Sequence, residues 1–292
     1  MTGRIMKGIS GFYFVYEEGS GMFTCKAKGI FRKDGIKPLV GDFVEFSVTD
    51  EKDREGNIEK ILPRKNELIR PAVSNIDQAL YIIAVTDPKP NTDLLNRFLV
   101  MMEYQNVPAM ICINKTDLSD EGYEEELKEI YEKAGYRAFL TSARNDSGTE
   151  ELKGALRGKT TTVAGPSGVG KSTLTNILSG TEKMETGEIS EKIKRGKNTT
   201  RHSECVYIEK DTYFLDTPGF SSMLLPQMEK EDLSDCFPEF IPYKDECRFY
   251  PCSHISEPDC GIKNALSEGR IKKERYDSYV LMYDEIKSRK KY

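Results

Sequence analysis

Residues 165–172 (GPSGVGKS) constrain this chain more than any other part of its sequence. They match the pattern GxxxxGKS, and they lie between residues 160–164, a predicted strand, and residues 172–178, a predicted helix. The glycines let backbone N–H groups converge on phosphate oxygens, and the start of the helix adds the positive end of its dipole. The sequence therefore predicts a phosphate-binding loop on an α/β sheet.

Two side chains of this loop have distinct expected roles. Lys171 is expected to bridge the terminal phosphates as a catalytic residue, and Ser172 is expected to ligate Mg²⁺. The residues of this segment predicted to bind nucleotide are Gly165, Pro166, Ser167, Gly168, Val169, Gly170, Lys171, Ser172 and Thr173.

Two further loops indicate which base is bound. Residues 114–117 (NKTD) follow the apolar run 109–113, and residues 141–143 (TSA) follow the next predicted strand. The Asp117 carboxylate can accept two hydrogen bonds from guanine N1 and N2, which adenine cannot offer, and Asn114 would tie the loop to the phosphate loop. The residues expected to surround the base are Asn114, Lys115, Thr116, Asp117, Ser142 and Ala143. The expected nucleotide is therefore GTP or GDP.

Residues 216–219 (DTPG) supply the remaining parts of a phosphate-sensing site. Asp216 is the expected acidic partner of Mg²⁺, and the N–H of Gly219 can sense the γ-phosphate. Thr199 or Thr200, in a long lysine-rich loop, can close on the ion when GTP is bound. The predicted magnesium ligands are Ser172, Thr200 and Asp216.

The order of these motifs is unusual. An ordinary Ras-like GTPase has the phosphate loop first, then the threonine loop, DxxG, NKxD and SA, whereas here NKTD and TSA come first. The chain therefore looks like a circularly permuted GTPase. This order places DTPG last, directly before the C-terminal region. A segment expected to respond to the γ-phosphate is therefore covalently joined to that region.

Four of the nine cysteine and histidine residues of the chain lie within 14 positions near the C-terminus. Cys247, Cys252, His254 and Cys260 fit the pattern Cx4CxHx5C, which suits a closed tetrahedral Zn²⁺ site with a structural role. The chain has seven cysteines, and the other four have no partner spacing, so we interpret them as core thiols. These are Cys25, Cys112, Cys205 and Cys236.

Length and patterning predict three domains in the 292 residues. Residues 1–68 show short strands separated by turns, which is typical of a small β-barrel; residues 69–224 carry the GTPase motifs; and residues 225–292 carry the metal ligands and a C-terminal helix. The apolar run 79–85 is too short to cross a bilayer, and the N-terminus has no apolar core, so we expect a cytoplasmic protein with no membrane association.

The charge balance limits how RNA could be bound. With 43 basic and 48 acidic residues the net charge is −5, so bulk charge does not make this chain coat nucleic acid, and any RNA contact must be local. The aromatic residues of segment 12–16 could stack on bases or fill the barrel core. The basic residues near the C-terminus could contact RNA or form a solvated helix end.

The barrel, the permuted GTPase motifs and the Cx4CxHx5C cluster together resemble the RsgA (YjeQ/YloQ) family of GTPases that depend on the small ribosomal subunit. The resemblance covers the whole chain. It implies an OB fold that binds RNA, GTP hydrolysis stimulated by the small subunit, and a role in late maturation of that subunit. The implied partners are the small subunit with its rRNA and GTP or GDP, and we expect a monomer.

Two positions bear on catalysis. Phe220 follows DxxG, where Ras-like proteins have the Gln that orients water, so hydrolysis by the free protein should be slow. The family commonly has His before the paired threonines, but this chain has Asn198 there and His202 three residues beyond Thr199. Asn198 and His202 both remain candidates for positioning water.

Two other functions fit part of the pattern. A small-molecule kinase with a phosphate loop would not need a guanine-binding loop, so NKTD and DTPG argue against it. The second alternative is a zinc-stabilised RNA-binding adaptor in which nucleotide is only structural. GTP hydrolysis measured with and without small ribosomal subunits would separate all three.

Overall fold

The computed structural model describes residues 1–29, 31, 35–69, 71–120, 122–180, 203–216 and 223–289. The chain divides into two compact units. The first contains Met1–Ala79, Glu150–Ala164 and Lys171–Gly219. The second contains Leu80–Thr149, Gly165–Gly170 and Phe220–Tyr292.

The described residues form strands and helices in the following chain order. The strands are β1 (Thr2–Ile9), β2 (Phe12–Glu17), β3 (Gly21–Ala27), β4 (Phe43–Asp50), β5 (Glu55–Ile61), β6 (Gln78–Ala84), β7 (Ala109–Asn114), β8 (Arg137–Leu140), β9 (Thr160–Ala164), β10 (Glu204–Glu209) and β11 (Thr212–Asp216). The helices are α1 (Thr92–Tyr104), α2 (Tyr123–Lys133), α3 (Thr149–Leu156), α4 (Lys171–Ser179), α5 (Gly261–Ser267) and α6 (Lys273–Ser288). Short 3-10 helices cover Thr116–Leu118, Asp232–Cys236 and Pro238–Glu246.

Strands β1 to β5 close into a barrel in the first unit. Their order is β2-β3-β5-β4-β1, and β1 pairs back with β2. The β3–β5 pair is parallel and the other pairs are antiparallel, which is the arrangement of a five-stranded OB barrel. Ile5, Val15, Cys25, Val44 and Ile58 fill its interior with no exposed surface. The predicted OB fold is confirmed.

The first unit also contains the strands around the phosphate loop. β11 runs parallel to β9 and antiparallel to β10. β10 in turn pairs with barrel strand β1, where Lys7 lies opposite Glu204. The barrel and these GTPase strands therefore belong to one hydrogen-bonded sheet within this unit.

The second unit contains the parallel strands β7 and β8, with β6 next to β7. Every residue of β6 is buried, as expected for a strand covered on both faces. The Asn91 side chain caps α1 by accepting a hydrogen bond from the Leu94 N–H at 2.9 Å. The helix therefore begins at Thr92 with Asn91 as its N-cap.

The C-terminal part of the second unit has its own apolar core. Phe237, Phe240 and Tyr279 pack with ring centroids 5.0–5.3 Å apart, and Val100 from α1 joins the same cluster. Aromatic side chains at these distances stabilise a small core effectively. The predicted C-terminal helix is present, starting at Lys273.

Three further details concern the start of α3, the cysteines outside the ligand cluster and the lengths of the helices. Thr149 is the first residue of α3, and its Oγ1 donates to Asp146 Oδ1 at 2.6 Å. Cys25, Cys112, Cys205 and Cys236 are buried, as predicted for core thiols. Within the described ranges, no helix has the length and apolar character needed to span a membrane.

Candidate nucleotide site and metal centre

Asn114 joins the three loops of the predicted guanine site in the second unit. It ends β7 with 1% of its surface exposed, and its Nδ2 donates to the Val169 carbonyl of the phosphate loop at 2.8 Å. Its Oδ1 accepts hydrogen bonds from Thr141 Oγ1 at 3.0 Å and from the Ala143 N–H at 3.2 Å. β7 and β8 are parallel, so both loops leave the same edge of the sheet. The predicted tie between NKTD and the phosphate loop is present.

The Asp117 carboxylate is held beside the TSA loop. Its Oδ1 accepts a hydrogen bond from Ser142 Oγ at 2.5 Å. Lys115 has a left-handed backbone with φ 64° and donates through Nζ to the Asp87 carbonyl, while Thr116 Oγ1 donates to the Thr141 carbonyl at 3.2 Å. A carboxylate fixed in this way can accept hydrogen bonds from the N1 and N2 groups of guanine.

Two glycines of the phosphate loop have positive φ angles and close neighbours that a side chain at either position would disturb. Gly165 has φ +143°, and a Cβ there would lie 2.2 Å from the Ile82 carbonyl oxygen. Gly170 has φ +97°, and a Cβ there would lie 2.3 Å from Asn114 Nδ2. The close approach that ties Asn114 to the loop therefore depends on Gly170.

Lys171 and Asp216, which are expected to act on the phosphates and on Mg²⁺, belong to the first unit. Lys171 begins α4, and Asp216 ends β11. Burial lowers the pKa of Lys171, and the nearby Asp216 carboxylate opposes that shift. A partly desolvated ammonium at the start of a helix is suited to binding an anion. Ser172 and Thr173 follow on the exposed surface of the helix.

Several sequence-predicted site residues lie outside the described residues. They are Asn198, Thr199, Thr200, His202, Gly219 and Phe220. Their expected roles in magnesium binding, γ-phosphate sensing and water positioning remain predictions.

The four predicted metal ligands converge in the second unit. The ligand atoms of Cys247, Cys252, His254 and Cys260 all lie within 4.8 Å of one another. Cys247 Sγ and Cys260 Sγ are 3.8 Å apart, and His254 Nδ1 lies 3.5 Å and 3.4 Å from these two sulfurs. A tetrahedral ion with Zn–S bonds of about 2.3 Å requires sulfur separations of about 3.8 Å. The cluster could hold a metal ion, and its dimensions fit Zn²⁺.

The protonation chemistry of the cluster also fits a cation. Burial lowers the pKa of His254 to about 4, with a smaller contribution from Lys244, so its imidazole is neutral and available as a ligand. Burial raises the pKa of Cys252 to about 12. A divalent ion would supply the positive charge that stabilises the thiolates in this environment.

Residues that the sequence analysis missed hold the ligand loop in shape. Glu257 accepts hydrogen bonds from the Ser253 N–H and Oγ, both at 2.8 Å. From α6, the Tyr276 hydroxyl donates to the His254 carbonyl at 2.7 Å and the Tyr279 hydroxyl to the Ser253 carbonyl at 2.8 Å. Two acidic residues lie between the last two ligands, and Glu257 is the one that gives this support.

The fold and the loops together define a circularly permuted GTPase with an N-terminal OB barrel and a C-terminal Cys3His cluster. A model of the RsgA N-terminal domain matches residues 2–58, and a model of the RsgA GTPase matches residues 61–226. The chain belongs to the RsgA family, and it is a GTP-hydrolysing enzyme.

Individual relatives agree over the full length. Proteins named small ribosomal subunit biogenesis GTPase RsgA from Agathobacter rectalis and Alkaliphilus metalliredigens are 60% and 48% identical, with 100% and 99% of each chain covered. The crystal structure of YjeQ from Thermotoga maritima matches with a TM-score of 0.81 and 37% identity, covering 99% of both chains. That of YloQ, described as a circularly permuted GTPase, matches with a TM-score of 0.77 and 38% identity, covering 100% of this chain and 96% of the other.

Proposed function

We propose that this protein hydrolyses GTP when it is bound to the small ribosomal subunit and that it acts in the late maturation of that subunit. The observation that carries the nucleotide assignment is the convergence of Asn114, the Val169 carbonyl and the TSA loop beside Asp117. The assignment to the small subunit is supported by the names of full-length relatives.

The nucleotide roles follow from the positions of these groups. Asp117 selects guanine, the backbone of residues 165–170 surrounds the phosphates, and Lys171 neutralises their charge. Ser172, Thr200 and Asp216 would hold Mg²⁺, which would supply positive charge for the phosphates when bound. Phe220 cannot orient water, so Asn198 and His202 remain the candidates for that role.

The other parts of the chain have separate roles in this proposal. Residues 1–68 form the RNA-binding barrel, residues 69–224 the GTPase domain, and residues 225–292 a domain stabilised by one Zn²⁺. Four protein ligands leave no open position on that ion, so its role is structural. The protein is proposed to act as a cytoplasmic monomer.

The central test is GTP hydrolysis by the intact protein alone, with purified small subunits, and with large subunits. We expect slow hydrolysis alone and a large increase with small subunits only. Equal rates in all three reactions would overturn the proposed partner. Failure to release phosphate from GTP under any condition would instead favour the adaptor alternative, and transfer of the γ-phosphate to a small acceptor would favour a kinase.

A second experiment tests the nucleotide switch. We expect tighter binding to small subunits with a non-hydrolysable GTP analogue than with GDP, and the subunit must favour the analogue by the same factor. Thr200→Ala should reduce that difference and the stimulated hydrolysis while leaving GDP binding nearly intact. Equal affinity of the wild type for subunits in both nucleotide states would contradict the switch.

A further inference from the structure

One row of side chains crosses from the barrel to Asp216 within the first unit. Lys7 of β1 lies opposite Glu204 of β10, and Glu204 lies opposite Asp216 of β11. Residues directly opposite each other in adjacent antiparallel strands project from the same face of the sheet. The barrel lysine, Glu204 and Asp216 therefore lie side by side on one face.

The row has one positive charge, on Lys7, followed by two negative charges, on Glu204 and Asp216. Glu204 and Asp216 are carboxylates on directly opposed positions, an arrangement that is unfavourable when nothing compensates it. Lys7 Nζ binds Glu204 Oε2 at 3.0 Å, and these two side chains are only 17% and 22% exposed. The ion pair is thus partly shielded from water, and it offsets the charge next to Asp216.

The backbone of β1 is irregular at this point. The pairing of β1 with β2 shifts register between Ile5 and Lys7. Bulges of this kind redirect a side chain relative to a regular strand. Lys7 lies at this irregularity, opposite Phe14 of β2 on one side and opposite Glu204 of β10 on the other.

We propose that Lys7 is a positioning residue for the magnesium site, because it neutralises Glu204 and so sets the charge beside Asp216. This inference rests on the proposed role of Asp216 as a magnesium ligand. In the wild type, one positive and two negative side chains leave the row with one net negative charge. That charge contributes to the affinity for the divalent ion.

The test changes this charge in both directions and measures Mg²⁺ binding directly. The readout is the Mg²⁺ concentration that half-saturates the fluorescence change of a labelled, non-hydrolysable GTP analogue bound to the intact protein. Lys7→Ala adds one net negative charge to the row and should lower this concentration about two- to fourfold. Glu204→Gln removes one negative charge and should raise it by a similar factor.

The double variant Lys7→Ala with Glu204→Gln restores the original net charge and should return the half-saturating concentration to the wild-type value. A purely structural ion pair would behave differently, because both single variants and the double variant would then move the value in the same direction. That result would overturn the proposal. Lys7→Arg keeps the charge and should behave as wild type.

Two controls separate this inference from its premise. Lys28→Ala removes the same charge from another barrel ion pair, with Glu59 of β5, a strand that pairs only with barrel strands, and it should leave Mg²⁺ binding unchanged. Asp216→Asn should weaken Mg²⁺ binding. If Asp216→Asn bound Mg²⁺ as the wild type does, the proposed magnesium ligand would be refuted. If Asp216→Asn weakened Mg²⁺ binding but Lys7→Ala and Glu204→Gln did not shift it in opposite directions, only the role of Lys7 would be refuted.

Discussion

The two units attach their outer domains to GTPase elements in different ways. In the first unit, Arg4 of the barrel donates to Thr160 Oγ1 at 2.9 Å, and its guanidinium carbon lies 4.5 Å from the Tyr213 ring centroid. In the second unit, Arg275 of α6 binds Glu239 Oε1 at 2.7 Å and Asn96 Oδ1 of α1 at 2.8 Å. The barrel is attached by strand pairing and by a cation over an aromatic ring. The C-terminal domain is attached by the hydrogen bond from Arg275 to Asn96, and the charge of Arg275 is balanced inside that domain by Glu239.

The buried ion pair has its hydrogen-bonding groups well satisfied. Arg275 has no exposed surface. Asn96, which accepts a hydrogen bond from Arg275, also donates one to Ser278 Oγ at 2.6 Å. Burial disfavours the charged form of Arg275, but Glu239 together with Tyr136 and Tyr131 outweighs this and raises the pKa of Arg275. Such networks hold one arrangement of helices strongly and lose much stability when one member is removed. α6 is therefore joined to α1 by buried hydrogen bonds of Asn96, whereas Arg4 of the barrel contributes one hydrogen bond and a cation over an aromatic ring.

The largest expected effect comes from the metal centre. Cys252→Ser, or removal of the metal with a chelator, should destabilise the C-terminal region by about 5 kcal/mol or more, because a structural zinc site contributes folding free energy directly. Hydrogen exchange should show loss of protection in α5 and α6 while strands β1 to β5 keep theirs. If strands β1 to β5 lost as much protection as α5 and α6, the barrel and the C-terminal region would not be independent. If the purified wild type contained no metal, the proposed metal site would be refuted.

Removal of the buried arginine should have the next largest effect. Arg275→Met should lower the free energy of unfolding by about 3–5 kcal/mol, because Glu239 would keep a buried charge without its partner. The matched control is Arg97→Met, because its partners Asp93 and Glu285 are 52% and 32% exposed and would stay hydrated without the arginine, so the loss should be smaller, about 1 kcal/mol. Denaturant unfolding measures both, and similar losses would show that burial does not distinguish the two pairs.

Base selection tests a function that belongs to the second unit alone. Asp117→Asn replaces a charged acceptor by an amide and should weaken GTP binding by about 2–4 kcal/mol while improving the binding of xanthosine nucleotides. Titration with labelled nucleotides measures both affinities. If GTP bound to the variant as it does to the wild type, Asp117 would not be part of the site.

The smallest effect should come from the barrel attachment. Arg4→Met should destabilise the protein by about 2 kcal/mol, since the variant loses cation–π contacts with Phe43 and Tyr213 and a hydrogen bond from a charged guanidinium to the Thr160 hydroxyl. Lys28→Ala, in an exposed barrel ion pair, should change stability by less than about 0.5 kcal/mol in the same unfolding assay. A loss in Arg4→Met as large as that in Arg275→Met would remove the contrast between the two attachments.

Much of the site could be read from the sequence because its chemistry is local. The phosphate loop depends on glycines and a lysine at set spacings, and the ligand cluster depends on thiols and an imidazole within 14 residues, from Cys247 to Cys260. Asn114 was expected to tie NKTD to the phosphate loop because parallel strands end at one edge of a sheet, and the structure has that contact at 2.8 Å. The barrel was indicated by short alternating strands.

The tertiary structure decided which distant residues support those motifs. Nothing near Arg275 in the sequence indicates that it binds Glu239 and Asn96, the latter 179 residues away, because a surface ion pair and a buried one have the same local pattern. Lys7 and Glu204 are 197 residues apart, and their pairing depends on the register between a barrel strand and a GTPase strand. Sequence determined the chemistry of the site because local spacing specifies the motifs, whereas packing alone determined these contacts because they depend on how remote strands and helices meet.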